Sequence, residues 1–261
     1  MKGELLIKVS AMDFHLYALL KETALQTACR IGNPSFYERH ETELLISSAF
    51  FESSSLISRG LQFLDEAKLH PAHGILHCEK VAREAGAILL IERMERGLVD
   101  TDRDALLLSA QVAGLFHDIR RREADHPIAG SREAERILRD FDMGDHYKEY
   151  IVAAIRNHEA FKKVLSSADE SARLVSDCLY DADKFRWGPD NFTRTLWLIT
   201  ESFNIPLKRL YQDFEEKMEG ISRISETFRT DTGRRYGPEF IEIGLRIGNE
   251  IYKEMSSMVE S

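Results

Sequence analysis

Histidine and aspartate recur in this sequence at positions where an ionisable side chain is costly. Leu106, Ala110 and Ala113 share a helical face with His117, and Val81, Ala85 and Ile88 share one with His77. Ile151, Ala154 and Ile155 lead to His158, while Val175 and Leu179 lie on the same side as Asp183. A polar group on an otherwise apolar face destabilises the fold unless it is paired or bound to a metal. Metal coordination explains all four positions together: neutral imidazole and carboxylate suit zinc, iron, manganese and similar ions, and one ion can gather ligands from helices far apart in sequence. The adjacent pair His117-Asp118 is the strongest local signal, although a His-Asp dipeptide by itself also arises by chance or at a helix end.

The elements that must position these groups are helices. Apolar residues recur at i, i+3 and i+4 along most of the chain and period-2 runs are almost absent, so the expected fold class is all-α. One helix is expected to begin near Asp100-Thr101-Asp102 and to end near His117. Pro189 after Gly188 and Pro206 after Ile205 have the character of first-turn prolines opening two further helices, and a last helix is expected from about Pro238 to Met255. No internal repeat or flexible linker is visible, only short polar breaks near Ser53 to Ser55 and Ser166 to Ser171. The expected organisation is one domain over 1–261, with the site in 70–190 and with 1–69 and 191–261 as helical extensions packed on it.

The 261 residues are 43% apolar and 30% charged, within the range of ordinary globular domains. A net charge of −9 argues against a broad electrostatic grip on nucleic acid but not against a small phosphorylated ligand. The longest apolar stretches, such as Ala105 to Phe116, are interrupted by Ser109, Gln111 and Gly114 and fall short of the roughly 20 residues of a membrane span. Met1 to Ser10 lacks the long apolar core and cleavage site of a signal peptide, so a cytoplasmic protein is expected. Cys29, Cys78 and Cys178 are odd in number and far apart, and are expected to be reduced core thiols.

Three stretches then acquire a joint meaning: His77 in His-Cys-Glu-Lys-Val-Ala, His117-Asp118 in Ala-Gly-Leu-Phe-His-Asp-Ile, and Asp183 in Tyr-Asp-Ala-Asp-Lys-Phe. Their order resembles the HD superfamily of metal-dependent phosphohydrolases, in which an isolated His opens a helix, an apolar helix ends in His-Asp, and a later helix carries an Asp often followed by a basic residue. The resemblance covers residues 73 to 187, somewhat under half the chain. It implies a compact HD-type helical bundle in which His77, His117, Asp118 and Asp183 hold a divalent cation (Mn, Fe, Co, Ni, Zn or Mg), with Asp181 as the competing candidate for the last position. His126, opening His-Pro-Ile-Ala-Gly, and His158, ending Ile-Arg-Asn-His, fall where some members place ligands to a second ion bridged by Asp118. The plainer alternative makes His126 a helix N-cap and His158 a C-terminal residue favoured by the helix dipole. His73, one turn before His77, is expected to support the site rather than to bind the ion.

The chemistry implied is hydrolysis of a phosphomonoester or phosphodiester, a nucleotide being the leading substrate class, with a water activated by the ion. Asp118 would orient or deprotonate that water, while Lys184 and Arg120, or its neighbours Arg121 and Arg122, would steady developing charge. Arg186 is a further candidate cation. Phe185, Trp187, Phe192 and Trp197 are usual core residues that could instead wall a base-binding slot. His15, His40, His70 and His146 show no partner spacing and are left out of the site. Arg234-Arg235-Tyr236-Gly237 could reach over a phosphate, though a plain turn before the last helix accounts for it. Two other functions fit the same residues: a di-iron oxygenase, which some six-ligand HD proteins are, and a catalytically silent ligand-binding module. The terminal helices could cover the pocket or form a homodimer interface.

Overall fold

The computed structural model describes residues 11–98, 102–165 and 167–259. Met1 to Ser10 lies outside them, as do Asp100 and Thr101 of the expected capping signal and Ser166 of the second polar break. The protein is all-helical, with no strand among the described residues. The α-helices are α1 (Ala11–Ile31), α2 (Ser35–Arg39), α3 (Glu41–Ser53), α4 (Ser55–Leu61), α5 (Ile75–Glu95), α6 (Arg103–Phe116), α7 (His126–Leu138), α8 (Asp145–Arg156), α9 (Glu170–Phe185), α10 (Leu196–Phe203), α11 (Leu207–Ile224) and α12 (Asp231–Val259).

The apolar faces seen in the sequence are the faces that pack. Val81, Ala85 and Ile88 of α5, Leu106, Ala110 and Ala113 of α6, Ile151, Ala154 and Ile155 of α8, and Val175 and Leu179 of α9 are all essentially removed from solvent. Each buried Val, Leu or Ile among them contributes about 1.5–3 kcal/mol relative to exposure. Helix α5 is central, packing against α6, α9 and α3, while α8 lies against α9, α7 and α6. Chain outside 70–190 closes over this centre: α1 packs along α12, α12 reaches α5 and α9, and α4 rests on α6. Among the described residues no helix is long and apolar enough to cross a membrane. Cys78 and Cys178 are free and buried, but Cys29 is exposed, so only two of the three thiols belong to the core.

The last helix departs from the sequence expectation by beginning at Asp231 rather than near Pro238, which lies inside it. Its start is capped by groups from distant helices, ahead of the proline. Thr230 Oγ1 accepts from Gly233 N at 2.7 Å, Thr230 O accepts from Arg234 N at 2.9 Å, and Glu92 Oε1 accepts from Thr232 N at 2.7 Å. Asp181 takes the two amides just before, Arg229 N at 2.8 Å and Thr230 N at 2.7 Å. A capped first turn is worth about 0.5–2 kcal/mol, and here several donors that a helix end leaves open are satisfied by buried carboxylates. Pro189 acts as expected, since helical turns begin there and lead through a wide turn over Asn191–Thr195 into α10, whereas Pro206 stands one residue before the first turn, at the N-cap of α11.

Candidate metal centre

Helices α5 and α6 cross closely because the residues at their contact are small. A Cβ on Gly114 would lie 2.5 Å from Ala82 Cα and 2.7 Å from Ala82 N, so only glycine lets the two backbones meet here. The consequence is felt about one turn away on each helix. His77, near the start of α5, and His117, which follows α6, bring their Nε2 atoms to 3.2 Å. Asp183, in the last turn of α9, adds its Oδ1 at 3.6 Å from His77 Nε2 and 3.5 Å from His117 Nε2.

Asp118 stands between this group and a second one. Its Oδ2 lies 3.3 Å from His117 Nε2 and 3.8 Å from His77 Nε2, whereas its Oδ1 lies 3.5 Å from His158 Nε2 and 3.7 Å from His126 Nε2. The Nε2 atoms of His126 and His158 are themselves 3.2 Å apart. Donors about 2.0–2.2 Å from one ion must stand about 3–3.6 Å from each other, which is the spacing within both groups. His77, His117 and Asp183 form one set able to hold a metal, and Asp118, His126 and His158 form another. His73, in the turn before α5, offers Nδ1 to Asp118 Oδ2 at 2.7 Å and makes a further set with His77 and Asp118.

The ring orientations suit this use. His117 Nδ1–H donates to Gly114 O at 2.8 Å and His158 Nδ1–H donates to Ile155 O at 2.6 Å. A carbonyl can only accept, so each Nδ1 carries a proton and, whenever the ring is neutral, its Nε2 presents a lone pair to the cluster; such hydrogen bonds are those that orient metal-binding imidazoles. Asp118 Oδ1 is buried and takes no hydrogen bond from any protein donor. Orphaned buried carboxylate oxygen is expensive, and a cation at the convergence of these atoms removes the penalty. The donor set and its orphaned oxygen therefore fit divalent metal.

Electrostatics divide the cluster. Burial opposes charge on His117, but Asp118 and Asp183 outweigh it and raise its pKa to about 10. Burial likewise works against the carboxylates, yet His117 and His73 hold Asp118 well below the usual range, and Lys184 and His117 do so for Asp183. His77 is pushed well below its ordinary value by burial and by His73 and His117, and His126 falls to about 3 through burial and Arg121. The cluster thus keeps two carboxylates ionised and His77 and His126 neutral, as a divalent ion requires, while His117 holds a proton that such an ion would have to displace.

The other expected site residues divide. Lys184 is buried at the pocket wall, its Nζ 2.5 Å from Asp183 Oδ2 and 5.0 Å from the Tyr180 ring. Arg120 does not reach the pocket: it is half exposed and pairs with Glu133 at 3.1 Å and Glu123 at 3.6 Å on the far side of the turn. The next side chain turns inward instead, Arg121 lying over His126 with Nη1 2.6 Å from Nε2 and Nε 3.9 Å from Asp118 Oδ1. Arg122 is spent on Leu69 O, at 2.8 Å. Arg186 points away into a buried network with Glu84, Asp190 and Tyr37. Asp181, two residues before Asp183, faces the opposite side of α9 and caps α12. Of the aromatic quartet, Phe185, Phe192 and Trp197 are core and only Trp187 borders the pocket. Arg234 and Arg235 are tied to Asp231 and Glu95, and Tyr236 is buried, so that stretch does not cover the site. His40 bonds Tyr236, His15 and His146 are exposed, and His70 caps the turn that carries His73.

The cluster opens into a cavity of about 390 Å³, of the size that holds small ligands. Its outer wall is Phe161, after α8, and Glu216, Lys217 and Arg223 of α11. Sequence reasoning missed these because α11 has the pattern of an ordinary amphipathic helix and nothing local marks which of its polar residues meets the site. Comparison of the chain with protein-family models, with curated proteins and with solved structures finds no match in any of the three.

Proposed function

We propose that the protein is a metal-dependent phosphohydrolase of the HD type, cleaving a small phosphoester, a nucleotide being the favoured class. The observation that carries this reading is the placement of Asp118, whose two carboxylate oxygens face two separate imidazole pairs, His77 with His117 and His126 with His158. Asp183 completes the first group. When bound, a divalent ion supplies Lewis acidity, easing deprotonation of water and drawing charge from a phosphoryl oxygen.

The chain's own residues do the rest. Asp118, ionised and without a protein donor on Oδ1, would hold the ion and orient an attacking water or take its proton. His73, whose Nδ1 lies 2.7 Å from the other oxygen, sets an imidazole beside that carboxylate. Lys184 holds Asp183 in position and adds positive charge at the pocket wall. Arg121, which takes the place expected of Arg120, presents a planar guanidinium matched to phosphate oxygens. The cavity gives water a route to this centre, whose His117, Asp118, His126 and His158 are otherwise buried.

The test is metal analysis of purified protein followed by phosphate release across a phosphoester series with manganese, cobalt and nickel. Asp118→Ala is expected to lose bound metal and to lower turnover by on the order of 10³-fold or more, with the fold intact by circular dichroism. Full turnover in a metal-loaded Asp118→Ala protein refutes the mechanism. Oxygen uptake with an iron absorption spectrum, in place of phosphate release, assigns the site to oxidation.

A further inference from the structure

The loop after α8 displays a phenylalanine where burial would be expected. Phe161 is 63% exposed and has φ 62°, the left-handed region that a bulky side chain occupies only at a cost of about 1–3 kcal/mol. The loop is nonetheless pinned. Asn157 Oδ1 accepts from Leu165 N at 3.0 Å and Asn157 Nδ2 donates to Leu165 O at 3.1 Å, closing residues 158–165 into a short arch just beyond His158. At its tip the ring borders the cavity of the Asp118 cluster, and Arg223, from α11, lies over it with Cζ 5.6 Å from the ring centroid. Neither Arg223 nor Lys217 pairs with a carboxylate among the described residues. A guanidinium thus lies over an aromatic face at the wall of the proposed phosphate site.

We propose that Phe161 and Arg223 form the ring-stacking subsite of this pocket, receiving the planar base of a nucleotide whose phosphoester reaches the Asp118 cluster. This rests on the phosphohydrolase reading and adds the residues that select the base. The 5.6 Å separation is longer than a closed stack, and a small rotation of the exposed Arg223 side chain admits a ring between the two planes. Aromatic and guanidinium faces grip any base through its π-system. An alkyl chain is a poorer occupant, because it would strip water from Glu159, Glu216 and Lys217, which share the wall. The base slot is thus assembled from the loop after α8 and from α11, not from the core aromatics Phe185, Phe192 and Trp197.

The test compares adenosine 5′-monophosphate with ribose 5-phosphate, which lacks the base, in manganese-loaded full-length protein. Phe161→Ala and Arg223→Ala are each expected to lower the ratio of kcat/KM for the two substrates about tenfold, Phe161→Trp to keep it, and Leu45→Ala, an exposed apolar residue of α3, to leave it unchanged. An unchanged ratio in Phe161→Ala overturns the proposal while the hydrolase reading stands. If wild-type protein hydrolyses neither compound, the hydrolase reading is decided by the phosphoester series, and the subsite is judged by titration of adenosine 5′-monophosphate against the fluorescence of Trp187 at the pocket wall. Equal dissociation constants for wild type and Phe161→Ala then overturn it, and a constant about tenfold weaker in the variant upholds it.

Discussion

Two buried polar clusters lie along α5 and α9, and they are built on opposite rules. In the first, the Arg186 guanidinium reaches Glu84, Asp190 and Tyr37, Tyr37 donates to Glu84 at 2.8 Å, and Lys80 adds a 2.8 Å contact to Asp190. Charges alternate and nearly every donor meets an acceptor. In the second, around Asp118, lone pairs of four imidazoles and oxygens of two carboxylates converge with one orphaned oxygen among them. The first cluster balances its charges within the protein and leaves only Arg186 Nε without a partner; the second gathers acceptors that, on the proposed reading, a cation would satisfy. Burial is common to both, so it is the presence or lack of internal compensation that separates a structural network from a candidate centre.

Substitutions should affect the two clusters differently. The largest loss of stability is expected from Glu84→Ala, which leaves Arg186 buried with part of its compensation gone: about 3–5 kcal/mol off the unfolding free energy, with metal per folded chain unchanged. Denaturant midpoints and metal analysis of the same preparation check this, and a loss of metal in the folded variant would join the two clusters that the geometry separates. Next in size, His126→Ala should halve the bound metal while the His77, His117 and Asp183 group keeps its ion, with stability altered by about 1 kcal/mol or less, because the lost imidazole partners only the cluster and Arg121. Unchanged metal stoichiometry in that variant breaks the assignment of two groups bridged by Asp118. The smallest contrast is between neighbours. Arg121→Ala should raise KM for a phosphoester about 10- to 100-fold through loss of a charge-assisted contact, whereas Arg120→Ala, whose exposed pairs with Glu133 and Glu123 are worth little, should change neither KM nor stability by a measurable amount. Equal effects of the two would show that the inward turn of Arg121 is not what binds substrate.

The helices were legible because burial follows the 3.6-residue period wherever a helix packs. The faces of α5, α6, α8 and α9 written in Val81, Leu106, Ile151 and Val175 are the faces found against one another. The start of α12 was not, since its cap depends on Asp181 and Glu92, which lie on α9 and α5 and are invisible to a local search around Pro238. The same holds for the cations of the site. Arg120, Arg121 and Arg122 are alike in sequence, and their fates diverge because the turn after His117 sends them to Glu133, to the cavity and to Leu69 O in succession.

Sequence by itself determined that this chain folds into helices and that His77, His117, Asp118, His126, His158 and Asp183 stand at helix ends or on inward faces, because periodicity and capping are local properties of the backbone. Tertiary structure decided how they group. Which oxygen of Asp118 meets which imidazole pair, that Asp183 rather than Asp181 joins them, and that α11 and the Phe161 loop close the pocket all depend on how helices approach, as at the Gly114 and Ala82 crossing. Such approaches are set by complementary surfaces from distant segments, which no single stretch of sequence contains.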